Sequence, residues 1–467
     1  MNPLKKLAGH TVIYGLSSVV GRLLNYLLVP LYTRFFIPSD YGVVTEIYAY
    51  VAFLIILLTY GFETAFFNFS KKEENKNNVY TTALISLSIS SVFFIGISLF
   101  YAQEISDWMG YGIKAKYIQW FAIIIGLDAV SSISFARLRE EEKAIKFASI
   151  KLINILVNIG LNLYFIVVRG LGIEYIFVAN LISSIITILL FTPEMLMSKL
   201  YFDKVLWRKM IAYSLPLLIA GLAGMINETI DRILLKKLLD NTQNVASEIG
   251  LYGAFYKLSI IMLLFIQTFR FAAEPFFFSH HKEKDDRKVY ADVMKYFTIV
   301  TIIIFLSVTI FYDFVIGFLG KSYHDERGFV VVSILLLANL FLGVYYNLSI
   351  WYKLTEKTKF GAYISIFGAI ITLSLNFILI PKIGFIGSAI ATLVCYFSMT
   401  IVSYFIGKKY FPIPYQIIRI SVYLSIMLAI YFIIYFSDLN TWLNSLFLIG
   451  FIIFAYILEK PKPIQKL

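Results

Sequence analysis

Apolar runs of about 20 residues follow one another along the whole chain, separated by short polar segments. A helix of that length crosses a ~30 Å hydrocarbon core. The pattern predicts about fourteen spans, near residues 9–32, 43–68, 79–101, 116–136, 148–168, 171–193, 209–235, 251–277, 293–318, 328–352, 360–380, 384–406, 417–436 and 440–458. The expected fold class is an all-α membrane protein. Barrel strands run ~10 residues and alternate in polarity, which excludes a β-barrel. Lys5 and Lys6 precede the first apolar stretch as they would in a signal peptide, but Arg22 and Asn25 interrupt that stretch and no small-residue cleavage site follows. It therefore reads as the first span.

The pattern also repeats. Tyr41-Gly42 opens the second span and Glu63 closes it in ETAFFNF, while Tyr252-Gly253 opens the eighth and Glu274 closes it in EPFFFSH. Both Tyr-to-Glu separations are 22 residues. A shift of 211–214 residues also brings Lys146-Phe147 onto Lys359-Phe360, Asn162 onto Asn376, and the Gly170/Gly172 turn onto PKIGFIG. These matches predict a six-helix bundle over 1–200 and a parallel repeat of it over 201–408. Two additional helices and a basic tail follow over 409–467. Two such bundles around a V-shaped central cavity can expose a site to each face in turn, the architecture of alternating access. A duplicated channel would carry a short pore loop, and none is found.

Composition agrees: 59% of the 467 residues are hydrophobic, 15% are charged, and the mean hydropathy is +0.78. The net charge of +12 raises the question of a nucleic-acid partner. The basic residues answer it by their places. With the N-terminus inside, 26 Lys and Arg fall on cytoplasmic segments and nine on the opposite side. That asymmetry is the positive-inside rule, and it puts both termini in the cytoplasm without any polyanion. The single cysteine, Cys395, lies inside a span and reads as a small buried side chain. His280-His281 lies in a charged stretch without a third ligand at useful spacing, so no metal is expected. No nucleotide loop, HExxH or long catalytic loop is present, so neither an enzyme nor a cofactor is expected.

Charges inside hydrocarbon cost a few kcal/mol on insertion scales and normally face a wet cavity or a partner. The candidates are Arg22, Glu46, Glu63, Asp128, Glu228, Asp231, Arg232, Lys257, Arg270, Glu274 and Asp313. They concentrate in spans one, two, seven and eight, the first hairpin of each half. An arginine fork binds phosphate oxygens two at a time, so Arg22 and Arg270 suit a phosphate-bearing substrate. Asn25 shares the Arg22 helix, Arg34 stands just past its end within reach of the outer interface, and Lys257 can meet a phosphate or a sugar acid. An ion pair of Arg22 with Asp128 or Glu228 is the competing reading. Arg270 with Glu274, and Glu228 with Arg232, are four apart and can pair within one helix. Glu46, Glu63, Asp128, Glu228, Asp231 and Glu274 are the candidates for a coupling ion or a gate. Pro30 predicts a bend in the first span.

The segments GRLLNYLLVPLYTRFFIPSDYG, QTFRFAAEPFFF and LNFILIPKIGFIGSAIATLV, in that order, resemble the Wzx-type polysaccharide flippases. These belong to the multidrug/oligosaccharidyl-lipid/polysaccharide exporter superfamily. The resemblance covers essentially the whole chain. It implies movement of an undecaprenyl-diphosphate-linked oligosaccharide across the bacterial inner membrane, for O-antigen or other surface polysaccharide. It also implies H+ or Na+ as coupling ion, and a polymerase and glycosyltransferases as partners. Arg22 looks like the cavity arginine of such flippases in span one, and Arg270 like the one in span eight. Arg34 and Arg232 sit near span ends, where family patterns are looser. A multidrug/cation antiporter and a lipid II flippase of the same superfamily are the alternatives.

Overall fold

The computed structural model describes residues 20–21, 23–24, 26–73, 75–110, 114–239, 244–280, 286–437 and 440–460. Among them every regular element is a helix. Thirteen helices are long and apolar enough to cross a membrane, one for each expected span from the second to the fourteenth. The expected first span lies mostly outside the described residues. The chain divides into two compact units, Met1–Gly250 and Leu251–Leu467.

The first unit holds α1 (Leu28–Phe35), α2 (Pro38–Thr59), α3 (Phe62–Ser70), α4 (Lys76–Phe100) and α5 (Ala102–Met109). It continues with α6 (Ala115–Glu140), α7 (Ala144–Asn162), α8 (Glu174–Met197) and α9 (Lys204–Leu238). The repeat puts a half-boundary near residue 200, whereas packing groups α9 with the first unit, against α2 and α3. The helices overrun the apolar windows because their polar ends continue past the hydrocarbon. Asn75 accepts from the backbone N–H of Asn77 and Asn78 at the start of α4, and Asp203 from Val205 and Leu206 at the start of α9. Such caps satisfy amides that a helix end otherwise leaves open.

Two breaks shape this unit. The helical stretch before α1 is interrupted at Leu27, three residues ahead of Pro30, whose ring excludes the regular bond on that turn. The second span divides between α2 and α3 at Tyr60 and Gly61, both left-handed (φ 33° and 76°). A side chain at Gly61 would also press on the Ser214 carbonyl. The break lets α3 pack Phe62 and Phe66 against Tyr80, Leu87, Ile133 and Met210.

The N-terminal turns of α2 and α10 (Val245–His280) meet backbone to backbone. A Cβ on Gly42 would collide with the carbonyl of Ala246, and one on Gly250 with the carbonyl of Pro38. Each helix thus presents a small residue four positions from the carbonyl it offers, a reciprocal small-xxx-small contact.

The second unit holds the rest of α10, α11 (Asp286–Ile310), α12 (Tyr312–Ile316), α13 (Arg327–Leu348) and α14 (Ile350–Leu354). Then come α15 (Lys359–Ile383), α16 (Phe385–Tyr410), α17 (Ile417–Phe436) and α18 (Thr441–Glu459). Its central seam, where α16 packs on α13 and α15, is a buried cluster that includes Ala338, Leu342, Tyr345, Ile364, Cys395 and Met399. The last two helices are fastened to α11 by charge. Lys295, 4% exposed, donates to Glu459 at 2.6 Å and to Asp292 at 3.1 Å. Glu459 also accepts from Tyr423 at 2.7 Å.

The backbone carries the internal repeat. Glu142 and Glu356, 214 residues apart, are left-handed at φ 55° and 58°, each in the turn before its matched helix. Gly170 and Gly384, at the same spacing, both have φ 60°. Asn162 and Asn376 are fully buried, and each donates its amide to the carbonyl four residues back, at 2.8 and 2.7 Å.

Candidate functional site

Several of the charges picked out by sequence have found partners within the protein. Glu46, 2% exposed, accepts from Lys236 at 3.3 Å. Glu63 accepts from Arg139. Arg232 is buried and donates to Asp231 at 2.8 Å and to the backbone carbonyl of Glu228. Of the two readings open for Glu228 and Arg232, the side-chain pair within the helix is not the one that forms. An arginine on a helix folds back along the preceding turn, and here its guanidinium meets the carbonyl while the Glu228 side chain is exposed. Arg34 is exposed in the last turn of α1. Asp313 is exposed on the short helix α12, past the end of the apolar helix Arg287–Ile310. Lys257 is half-buried on α10. The Arg270 guanidinium stacks on the Tyr346 ring, 4.0 Å from its centroid. Arg22, Asn25 and the side chain of Glu274 lie outside the described residues.

Two predicted residues, Asp128 and Glu63, line a crevice inside the first unit, of about 360 Å³. Helical spacing builds it. Asp128, Ser131, Ser132, Phe135 and Arg139 recur at three- and four-residue steps along one face of α6, and Lys151 and Asn154 do so on α7. Asn180, Ser184 and Thr187 supply the facing side of α8. Ser184 donates to Asp128 at 2.8 Å. Asn154 donates to the Ser183 carbonyl at 3.1 Å and to Thr187 at 2.8 Å, which turns its Oδ1 away from those two bonds. Asn180 donates to the Tyr48 hydroxyl at 2.9 Å. The Ser131 hydroxyl is buried without a hydrogen-bond partner. Lys151 rests its ammonium over the Phe135 ring at 4.2 Å. Among the described residues, neither Asp128 nor Lys151 has an oppositely charged atom within 4.0 Å. The Arg139–Glu63 pair lines the same crevice.

Sequence reasoning passed over Lys151 and Lys295. Each sits about a turn or two inside a span, where a lysine reads as a side chain snorkelling to the interface. The signal available for Lys151 was Asn154 three residues on, a second polar group on the same face of an apolar helix. Among the described residues no group of three His, Cys, Asp or Glu converges to hold a metal ion. What the crevice offers is one separated carboxylate and ammonium among hydroxyl and amide groups, held by four helices.

A family model described as polysaccharide biosynthesis protein matches residues 7–279. A search of curated proteins finds no match. Among solved structures the chain is similar to "Lipid II flippase MurJ, inward closed conformation", with a TM-score of 0.76 at 17% identity over 96% of this chain and 98% of that one. It is also similar to a "multidrug resistance MATE family transporter of the MOP superfamily", with a TM-score of 0.68 at 14% identity over 87% of this chain and 95% of that one. At such identities the likeness is one of fold, and it is the fold of many packed membrane helices that the hydrophobic pattern called for. With more than half of its length matched by the family model, the chain belongs to the polysaccharide biosynthesis protein family.

Proposed function

We propose that the protein moves an undecaprenyl-diphosphate-linked oligosaccharide from the cytoplasmic to the periplasmic leaflet of a bacterial inner membrane, by alternating access, for surface polysaccharide synthesis. Family membership and the fold shared with a lipid II flippase support this reading. The observation that carries it is Arg270, a permanently charged group inside the spanning stretch Val245–Phe271, stacked on Tyr346. A planar guanidinium whose face lies on an aromatic ring meets the oxygens of a diphosphate along its N–H edge. Arg22 is the matching proposal from the first span. The halves 1–200 and 201–408 act as the two moving bundles, both termini lie in the cytoplasm, and an ion gradient drives the cycle.

In a strain that depends on this gene for its surface polysaccharide, Arg270→Ala abolishes the polymer while the protein reaches the membrane in normal amount. Arg270→Lys restores only part of it, because an ammonium lacks the two-pronged geometry. Full export by Arg270→Ala removes the assignment. Rescue of a strain lacking its lipid II flippase, without any effect on surface glycan, would move the substrate to the peptidoglycan precursor.

A further inference from the structure

At the 214-residue spacing that relates the left-handed turns, Asp128, Ser131, Lys151 and Asn154 correspond to Leu342, Tyr345, Ser365 and Gly368. Leu342 and Tyr345 belong to the buried cluster to which α16 contributes Cys395 and Met399. The same seam is thus closed by apolar side chains in the second unit and left open and polar in the first. Packing alone does not call for the crevice, and polar groups at such a depth are costly unless something meets them. The open space also runs deep. Glu63 and Arg139 pair at the end of α6 that the basic residues assign to the cytoplasm, whereas Asp128, which lines the crevice at the midpoint of that helix, is exposed. The rise of α6 between Arg139 and Asp128 is about 16 Å at ~1.5 Å per residue.

The wall states what it can hold. Ten of the twelve residues that line it are polar or charged, whereas an acyl chain or a lipophilic drug selects a mostly apolar wall. The groups left over among the described residues are of both kinds. Asp128 keeps one carboxylate oxygen beyond its bond from Ser184, Asn154 Oδ1 accepts no hydrogen bond, and the Ser131 hydroxyl is buried without a partner. The Lys151 ammonium rests on the Phe135 ring and donates no hydrogen bond. A bound cation would use the acceptors and face Lys151, and an anion would use the ammonium and face Asp128. A neutral ligand whose hydroxyls each donate and accept uses them all.

We propose that the crevice of the first unit binds a neutral glycosyl unit. Its hydroxyls donate to Asp128 and Asn154 and accept from Lys151, and bonds of a hydroxyl to a carboxylate are among the strong ones. Its C–H surface lies against Phe135 and Phe147, which line the crevice edge to face with ring centroids 5.3 Å apart. Two sources share this chemistry, the oligosaccharide of a lipid-linked substrate and free sugar in the cytoplasm. The first of them rests on the transport reading above, and it assigns glycan recognition to residues other than those proposed for the diphosphate.

The test uses the full-length protein in lipid nanodiscs, free of glycoside detergents, whose own headgroups are sugars. The probes are the methyl glycosides of glucose, galactose and N-acetylglucosamine, and the oligosaccharide released by mild acid from the lipid carrier of the same strain. Saturation-transfer NMR is expected to show transfer from the protein to the C–H protons of at least one of them. Asp128→Ala should weaken that Kd by about 10- to 100-fold, the loss of a hydrogen bond to a charged group. Ser132→Leu fills the crevice without touching a charge and should abolish the transfer, so it carries the test if Asp128→Ala does not fold. The proposal is overturned if no probe shows transfer, or if either variant, folded by its melting temperature, binds as the parent does. Loss of surface polymer in cells carrying Asp128→Ala names the lipid-linked glycan as the source, and a kept polymer names free sugar. Sugar binding alongside normal export by Arg270→Ala keeps the glycosyl site and discards the diphosphate reading. No sugar binding alongside lost export by Arg270→Ala does the reverse.

Discussion

Gly42→Ala is expected to destabilise the protein by about 3 kcal/mol, although alanine is the better helix former by about 1 kcal/mol. The added methyl collides with the carbonyl oxygen of Ala246. A backbone oxygen has no rotamer into which it can swing, so the helix ends must part. Gly250→Ala should behave alike, because its methyl meets the Pro38 carbonyl in the same contact. The double variant should cost little more than either single one, since helices already parted have no second clash to suffer. Gly96 supplies the control: it stands within α4 with nothing within 4 Å of an added Cβ, and Gly96→Ala should be neutral or stabilising. Thermal melting of the purified variants reads all four, and equal melting of Gly42→Ala and Gly96→Ala would mean that the close contact is not formed.

The second large effect concerns the fastening of the last two helices. Removing either charge of the Lys295–Glu459 pair, by Lys295→Met or Glu459→Leu, leaves the other buried without its main counter-charge, at a cost of about 3–5 kcal/mol. The double variant Lys295→Met with Glu459→Leu should recover most of that loss, because apolar side chains of similar size tolerate the same site. A double variant that melts as low as the worse single one would show that the pair acts through its other partners, Asp292, Tyr423 and Arg419.

The spans were legible because each is a contiguous apolar window, and hydrophobicity along a chain is a one-dimensional signal. The repeat was legible because turn residues recur at a fixed spacing, and Asn162 and Asn376 proved to make the same bond. Partners were not legible, because they are set by which helix faces meet. Glu46 finds Lys236, which the hydrophobic pattern assigns to an outer loop, and Glu63 finds Arg139, which it assigns to a cytoplasmic one. Gly42 belongs to a recurring Tyr-Gly pair, yet nothing local distinguishes a glycine that touches another backbone from one that touches lipid. Asp128 was legible as a membrane carboxylate, but its crevice depends on Lys151, Asn154 and Ser184, which come from two other helices.

The fastening also bears on how the chain is made. Lys295 lies in the ninth expected span, while Glu459 ends the fourteenth, so the ribosome delivers the ammonium long before its main counter-charge exists. In the interval Asp292, one helical turn away, is the carboxylate already at hand, and the pair can enter the bilayer as a local dipole. Arrival of Glu459 then completes the contact. A nascent chain cut short before that residue would keep a lysine compensated by Asp292 alone.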